Sequence, residues 1–255
     1  MINYPLTIIT PTYNSGNTIL DCLQSVHNSI FYNFEHLIID GKSSDNTLLI
    51  LNQFKIDNPK ANITIVSEKD NGIYHALNKG INLANGEIIG FVHSDDLIPN
   101  TGLLSEIYDK FNKFDIDGLY GDLNYVSKTD TNKIIRVWKS QAFKKKYLKF
   151  GWMPPHPTLF LKKKVYLKIG LFNTSYKISG DYDFILRVFS DSSLKFHYLP
   201  KVITKMRVGG ISNSNIKNIL KKTKEDYLAV NSNDVGGWIT IFIKNFSKLK
   251  QFLKK

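Results

Sequence analysis

Residues 73–96, IYHALNKGINLANGEIIGFVHSDD, decide how the chain is read. Ile73, Ala76, Leu77, Gly80, Ile81 and Ala84 recur at helical spacing, which predicts an amphipathic helix. Residues 88–92 follow as a short, unbroken apolar run. A helix leading into such a run reads as half of a βαβ unit whose strand is covered on both faces. The run stops at His93-Ser94-Asp95-Asp96. Two adjacent carboxylates repel each other, so their place at the end of a buried strand needs a cause. A divalent cation supplies one, because hard cations take carboxylate oxygens. A solvated turn, with one Asp capping the segment near residues 100–104, supplies another. Taken by itself, the pair does not choose between them.

The same alternation extends upstream. Residues 6–9 form an apolar run ending at Thr10-Pro11-Thr12-Tyr13-Asn14, and residues 15–27 place Ile19, Leu20, Leu23 and Val26 on one helical face. A second strand is expected at 36–39, ending at Asp40-Gly41, then a helix over 45–56 and a third strand at 63–66. Strands alternating with helices predict right-handed crossovers and a mostly parallel α/β sheet. Ligands of such sheets bind beyond the carboxyl ends of the strands. Three strand ends should therefore share one edge: Pro11, Tyr13 and Asn14 on the first, Asp40 on the second, Asp95 and Asp96 on the third. Asp40 stands where dinucleotide-type sites set an acid against a ribose or base. Tyr13 suits stacking on a base and equally suits packing beside a helix start. Asp45 reads as a structural N-cap.

Beyond residue 118 the pattern loosens. Residues 119–126 and 133–137 are expected to pair as a hairpin, 158–161 to form a strand, and 162–169 and 182–190 to form helices. Two more strands are expected at 194–199 and 202–207. Asp181, in Gly180-Asp181-Tyr182-Asp183, reads first as an N-cap, although one carboxylate suffices to take a proton from a hydroxyl. The loop Trp152-Met153-Pro154-Pro155-His156-Pro157 is stiffened by its prolines. Its Trp152 and His156 are residue types that face sugars and also plug cores. Arg207, Gly209 and Gly210 end the last strand in a form suited to phosphate.

The chain has 255 residues, 42% hydrophobic and 22% charged, enough for a packed core. Its single cysteine, Cys22, excludes an internal disulfide and fits a reducing cytoplasm. Neither a signal peptide nor a membrane-spanning run is expected. No nucleophile elbow, Walker loop, GxGxxG or zinc-type His spacing occurs, which argues against hydrolase, P-loop and dehydrogenase chemistry. The formal charge is +12 and lies mainly in the back half. Residues 216–255 hold nine Lys against Glu225, Asp226 and Asp234. Within them, Ile239, Phe242, Ile243, Phe246, Leu249 and Leu253 share one face, opposite Lys244, Lys248 and Lys255. Such a helix either lies on an anionic membrane surface or packs on the domain with its lysines solvated.

TIITPTYN (7–14), IIDGKSSDNT (38–47) and SEKDNGIYHALNKGINLANGEIIGFVHSDD (67–96), in that order, resemble the nucleotide-binding half of family 2 glycosyltransferases. The later part is similar to the branch acting in bacterial O-antigen, capsule and related surface-polysaccharide synthesis. The resemblance implies a GT-A fold: a Rossmann-like, mostly parallel central sheet with helices on both faces, plus a C-terminal helical tail. Residues 1–215 would be the catalytic domain, with 1–115 the nucleotide-sugar-binding half and 116–215 the acceptor half. Residues 216–255 would be the basic amphipathic tail.

It further implies a nucleotide-sugar donor, usually a UDP-sugar, an Mn2+ or Mg2+ ion, and inversion at the anomeric carbon. Pro11 and Tyr13, with Asn14, match positions lining the base, and Asp40 matches the acid reading the uracil edge. Asp70, Gly72 and Asn78 match positions near the donor. Asp95 would face ribose or metal, Asp96 would bind the metal, and Asp181 would be the catalytic base. Trp152, His156, Arg207, Gly209 and Gly210 fall on acceptor-side loops. His93 stands where the family commonly has Asp or Asn, and Gly180 where it often has an acid. A glycan or lipid-linked glycan acceptor is expected, at the cytoplasmic face of the plasma membrane, and no nucleic acid. Two rival classes remain. A sugar nucleotidyltransferase would release pyrophosphate, and a nucleic-acid binder rests on charge alone and leaves the acidic strand ends unexplained.

Overall fold

The computed structural model describes residues 4–209 and 216–249. In its first half β1 (Tyr4–Thr12), β2 (Phe34–Asp40), β3 (Ile63–Ser67) and β4 (Gly86–Phe91) alternate with α1 (Ile19–His27), α2 (Thr47–Asp57) and α3 (Ile73–Leu83). The four strands lie side by side as β3-β2-β1-β4, all parallel. Strand side chains alternate between faces. Ile9, Leu37 and Ile39 enter a core shared with Ala76, Leu77 and Ile81 of α3. Leu6 and Ile8 face the other way, with Cys22 and Val26 of α1. Ile38 meets Leu23 of α1 and Leu51 and Phe54 of α2 on that side. Both faces of the sheet are therefore covered, as the unbroken apolar runs require.

The second half adds β5 (Asp96–Leu97), α4 (Leu103–Lys113), β6 (Gly118–Val126), β7 (Ile134–Trp138), β8 (Phe160–Lys162), α5 (Lys163–Ile169), α6 (Gly180–Ser190) and β9 (Phe196–Arg207), then α7 (Ile216–Ser232) and α8 (Trp238–Leu249). The sheet continues from β4 as β8-β6-β9-β5. β8 runs antiparallel to both its neighbours, and β6 and β9 are parallel. The expected hairpin forms between β6 and β7. The two strands expected at 194–199 and 202–207 are instead one strand. Pro200 is tolerated inside it because the β6–β9 register shifts between Tyr120 and Leu123. A bulge there leaves no ladder bond for the missing N–H to fill.

The tail forms helices, but its faces are arranged differently from the sequence reading. Ile239, Phe242 and Phe246 are exposed, while Lys244 is 2% exposed and turned inward. Its Nζ pairs with Asp226 at 2.8 Å and lies 3.1 Å from the centroid of the Tyr182 ring. A carboxylate and an aromatic face together offset the cost of burying an ammonium. The side chains of Lys248 and Leu249, and Leu253 and Lys255 altogether, lie outside the described residues. Among the described residues no helix is long and apolar enough to cross a membrane.

Candidate active site

The carboxyl ends of β1, β2 and β4 open onto a cavity of about 730 Å³. Pro11, Tyr13, Asn14, Asp70, Gly72, Asp95, Arg207 and Gly209 line it. A second cavity, of about 420 Å³, is lined by Asp96, His156, Asp181 and a largely apolar wall that includes Leu77, Phe91 and Phe172. Gly72, Ile73, His93 and Asp95 belong to both.

Asp96 is 1% exposed, and neither carboxylate oxygen has a hydrogen-bond partner among the described residues. Burial, then the neighbouring Asp95, push its carboxyl well above the ordinary range, and Arg207 opposes them. Asp95 is raised by burial, opposed by a backbone hydrogen bond and by Arg207. The backbone of Asp96 is pinned to Met206 by the β5–β9 pairing. Arg207, expected on the acceptor side, is 5% exposed and braces the acids instead. It donates to the Asp95 carbonyl at 2.9 Å and pairs with Asp21.

An orphaned buried carboxylate is costly, and a cation relieves the cost. Among the described residues no cluster of three or more His, Cys, Asp or Glu could hold a metal. A cation placed at Asp95 and Asp96 would therefore need most of its ligands from elsewhere. That suits an ion held by one or two carboxylates and by substrate phosphates.

Asp181 stands in the first turn of α6. Its Oδ2 is 3.0 Å from His156 Nδ1 and its Oδ1 is 3.3 Å from the Tyr74 hydroxyl. That hydroxyl donates to the Ile178 carbonyl at 2.7 Å and accepts from the Gly180 N–H at 2.9 Å. Burial and Asp181 hold the Tyr74 phenol far above its usual range. His93 packs edge-on to His156 at 5.8 Å, and burial, then His156, lower it to about 3. Gly180 has a local reason: a Cβ there would lie 2.8 Å from the Tyr74 ring. A side chain at position 180 would therefore press on the tyrosine that contacts Asp181.

The other residues singled out in sequence divide between the cavity walls and the interior. The Asp40 carboxylate is fully buried, accepting from the Ser43 N–H at 3.1 Å and from the hydroxyls of Ser43 and Ser67. The wall beside it belongs to Gly41. Asp70 accepts from the Gly72 N–H at 2.9 Å. Asn78 lines neither cavity and clamps Phe172 through its N–H and carbonyl at 2.9 and 2.8 Å. Trp152 packs among Tyr120, Phe143 and Phe189, away from both cavities. Gly210 lies outside the described residues. Tyr74, Lys69 and Lys128 reach the cavities without having been singled out in sequence. The available signal for Tyr74 was an aromatic in helical register with Leu77 and Ile81, whose buried hydroxyl must find partners. The two lysines sit in loops and leave no pattern.

Residues 7–171 match the family described as glycosyl transferase family 2. The chain belongs to that family. It is 32% identical over 219 residues to a PGL/p-HBAD biosynthesis glycosyltransferase of Mycobacterium bovis, covering 85% of this chain and 82% of that one. It is 26% identical to a chondroitin synthase of Pasteurella multocida over 89% of this chain and 23% of the synthase. Its fold superposes on S. aureus TarS 1–349 in complex with UDP-GlcNAc with a TM-score of 0.69 and 19% identity, covering 90% of this chain and 65% of that fragment. A mannosyltransferase of Pyrobaculum calidifontis, solved with GDP-Man and Mn2+, superposes with a TM-score of 0.68 and 17% identity, covering 98% and 71%. The fold of this family 2 chain is GT-A.

Proposed function

We propose that this family 2 chain moves a sugar from a nucleotide-sugar, a UDP-sugar by preference, to a hydroxyl of a glycan or lipid-linked glycan, with inversion, in bacterial surface-polysaccharide synthesis. One observation carries the reading: the unpartnered Asp96 carboxyl and the braced Asp181 line one cavity. Nucleotide-sugars bound to TarS and to the mannosyltransferase support the donor class.

In this reading Tyr13, exposed at the cavity mouth, stacks on the base, and Asp40 acts through the turn from Gly41 to Ser43 that it holds. Asp70 and Gly72 shape the wall at the start of α3. Asp95 and Asp96 hold an Mn2+ or Mg2+ ion, which when bound offsets charge on the departing diphosphate. Asp181 takes the proton of the attacking hydroxyl, and His156 fixes the carboxylate that does so. His93, which stays neutral, adds no charge to that pair.

The tail offers a face to an anionic lipid surface. Trp238, Ile239, Phe242 and Phe246 are exposed on α8. Lys217, Lys221 and Lys224 are exposed on the adjoining α7, and Lys145, Lys146 and Lys149 on the 3₁₀ turn that also packs on α8. Such a face would hold the enzyme at the cytoplasmic leaflet beside a lipid-linked acceptor. Vesicles with and without anionic lipid test it: sedimentation that ignores lipid charge would remove this part of the proposal.

The activity itself is tested with a panel of nucleotide-sugars and Mn2+. Thermal stabilisation by one donor class is expected, with release of a nucleoside diphosphate on adding acceptor. Pyrophosphate release from a nucleoside triphosphate and a sugar phosphate would instead make the chain a nucleotidyltransferase.

A further inference from the structure

Glu225 lies in α7, far along the chain from Asp181, and is 8% exposed. Its carboxylate accepts three consecutive backbone N–H groups, from Lys177 at 3.1 Å, Ile178 at 2.8 Å and Ser179 at 3.0 Å. These residues lead directly into α6, which carries Asp181 in its first turn. The N–H groups at a helix start lack partners within the helix, and a carboxylate there also complements the helix dipole. The N-cap residue Ser179 makes no side-chain cap. Its hydroxyl is turned to the Lys222 carbonyl of α7, at 3.4 Å. The tail thus supplies, from a distant part of the sequence, the acceptor for N–H groups that the Ser179 side chain does not cap.

Two further contacts from the tail grip the residues that follow Asp181. Lys244 of α8, paired with Asp226, sits over the ring of Tyr182. Asn233, just beyond α7, donates to Asp183 at 3.1 Å. The segment Glu225 holds also contains the Ile178 carbonyl, which takes the Tyr74 proton, and Tyr74 in turn lies against Asp181. If residues 177–179 shift, Asp181 and Tyr74 lose their common support together.

We propose that Glu225 is a positioning residue for Asp181, so that α7 and α8 are part of the catalytic apparatus. This rests on the reading of Asp181 as the base. Glu225→Gln keeps the shape and one acceptor oxygen, and Glu225→Ala removes both. Turnover, donor KM, donor affinity with Mn2+ and thermal midpoint are measured for each, in the parent and in the Asp181→Asn protein. Expected are a loss in kcat of several-fold for Gln and about tenfold or more for Ala, with donor affinity unchanged. In the Asp181→Asn background neither change should slow residual transfer further, because the group being positioned is already gone.

Equal fold-losses in the two backgrounds would mean a general structural role and overturn the proposal, as would a folded Glu225→Ala protein with kcat within about twofold of the parent. If Glu225→Ala does not fold, Glu225→Gln decides by the same twofold criterion. Near-normal transfer by Asp181→Asn alone would sink the base assignment itself, a failure visible without any change at Glu225.

Discussion

His156 places its Nδ1 3.0 Å from Oδ2 of Asp181, and both line the cavity that also receives Asp96. A carboxylate held this way keeps an oxygen aimed at one place, and aim is much of what a general base contributes. Asp181→Asn should lower kcat by roughly 10²–10⁴-fold and leave nucleotide-sugar binding intact. His156→Gln keeps a donor and should cost less than His156→Ala. Steady-state turnover beside donor titration checks this ordering. Equal activity of the Gln and Ala variants would show that the imidazole contact does not orient Asp181.

Gly180 bears on the same group from behind. Placing an acid here with Gly180→Asp should harm the enzyme, because the added Cβ would lie 2.8 Å from the buried Tyr74 ring. Overpacking of this kind costs about 1–3 kcal/mol, and here it also displaces the hydroxyl that meets Asp181. Lower urea midpoint and lower kcat together are expected. Pairing the change with Tyr74→Ala should recover part of the stability but not the turnover. A fully active, fully stable Gly180→Asp protein would show that Tyr74 has room to move.

These contacts mark where sequence reading stops. The β1–β4 half is legible because a strand covered on both faces must be written as an unbroken apolar run, and its helices as stripes. β5 is two residues long, too short for any period to register, whereas β8 overlaps the strand expected at 158–161. Asp95 and Asp96 are legible as a pair, though taken alone they read equally as a capped turn. Arg207 is legible as a strand-end cation but not as the brace of those acids, which depends on β9 returning beside β5. Asp40 reads as a ligand because its partners Ser43 and Ser67 come together only in three dimensions. Lys244 reads as solvated for the same reason: Asp226 and Tyr182, which draw it inward, sit on other helices.

The Asp226–Lys244 pair should be expensive to break and cheap to replace. Both side chains are almost fully buried. Burial lowers the Lys244 ammonium to about 8, against the pull of Asp226. Removing one partner strands the other charge, a cost of about 3–5 kcal/mol for pairs this deep. Asp226→Ala should therefore lower the unfolding free energy far more than the double change Asp226→Leu with Lys244→Met. Equilibrium denaturation of the three proteins measures it. A double variant no more stable than the single one would mean that the pair contributes through packing rather than charge.

Acid stability should be set early by a histidine chain under the sheet. Thr10 Oγ1 meets His36 Nε2 at 2.9 Å, and His36 Nδ1 meets His27 Nε2 at 2.9 Å. The His27–His36 contact needs one of its two facing nitrogens bare, so a proton on the accepting ring sets two N–H groups against each other, while the Thr10 hydroxyl can donate to His36 or accept from it. Burial lowers His27 to about 4 and, with help from His27, holds His36 well below its usual range. Both folded values lie below those of the unfolded chain, about 6.5. Above that pH neither state takes up the proton and the stability is fully present. As pH falls from about 6.5 towards 4 the unfolded chain takes up protons that the folded chain refuses, so stability is lost. Each ring should contribute a slope of up to about 1.4 kcal/mol per pH unit in that window. His27→Asn, which leaves His36 a polar neighbour, should remove about one ring's share of the slope between roughly pH 6 and 5. Urea unfolding at several pH values reads this directly, and an unchanged slope would show that the pair takes up protons while folded.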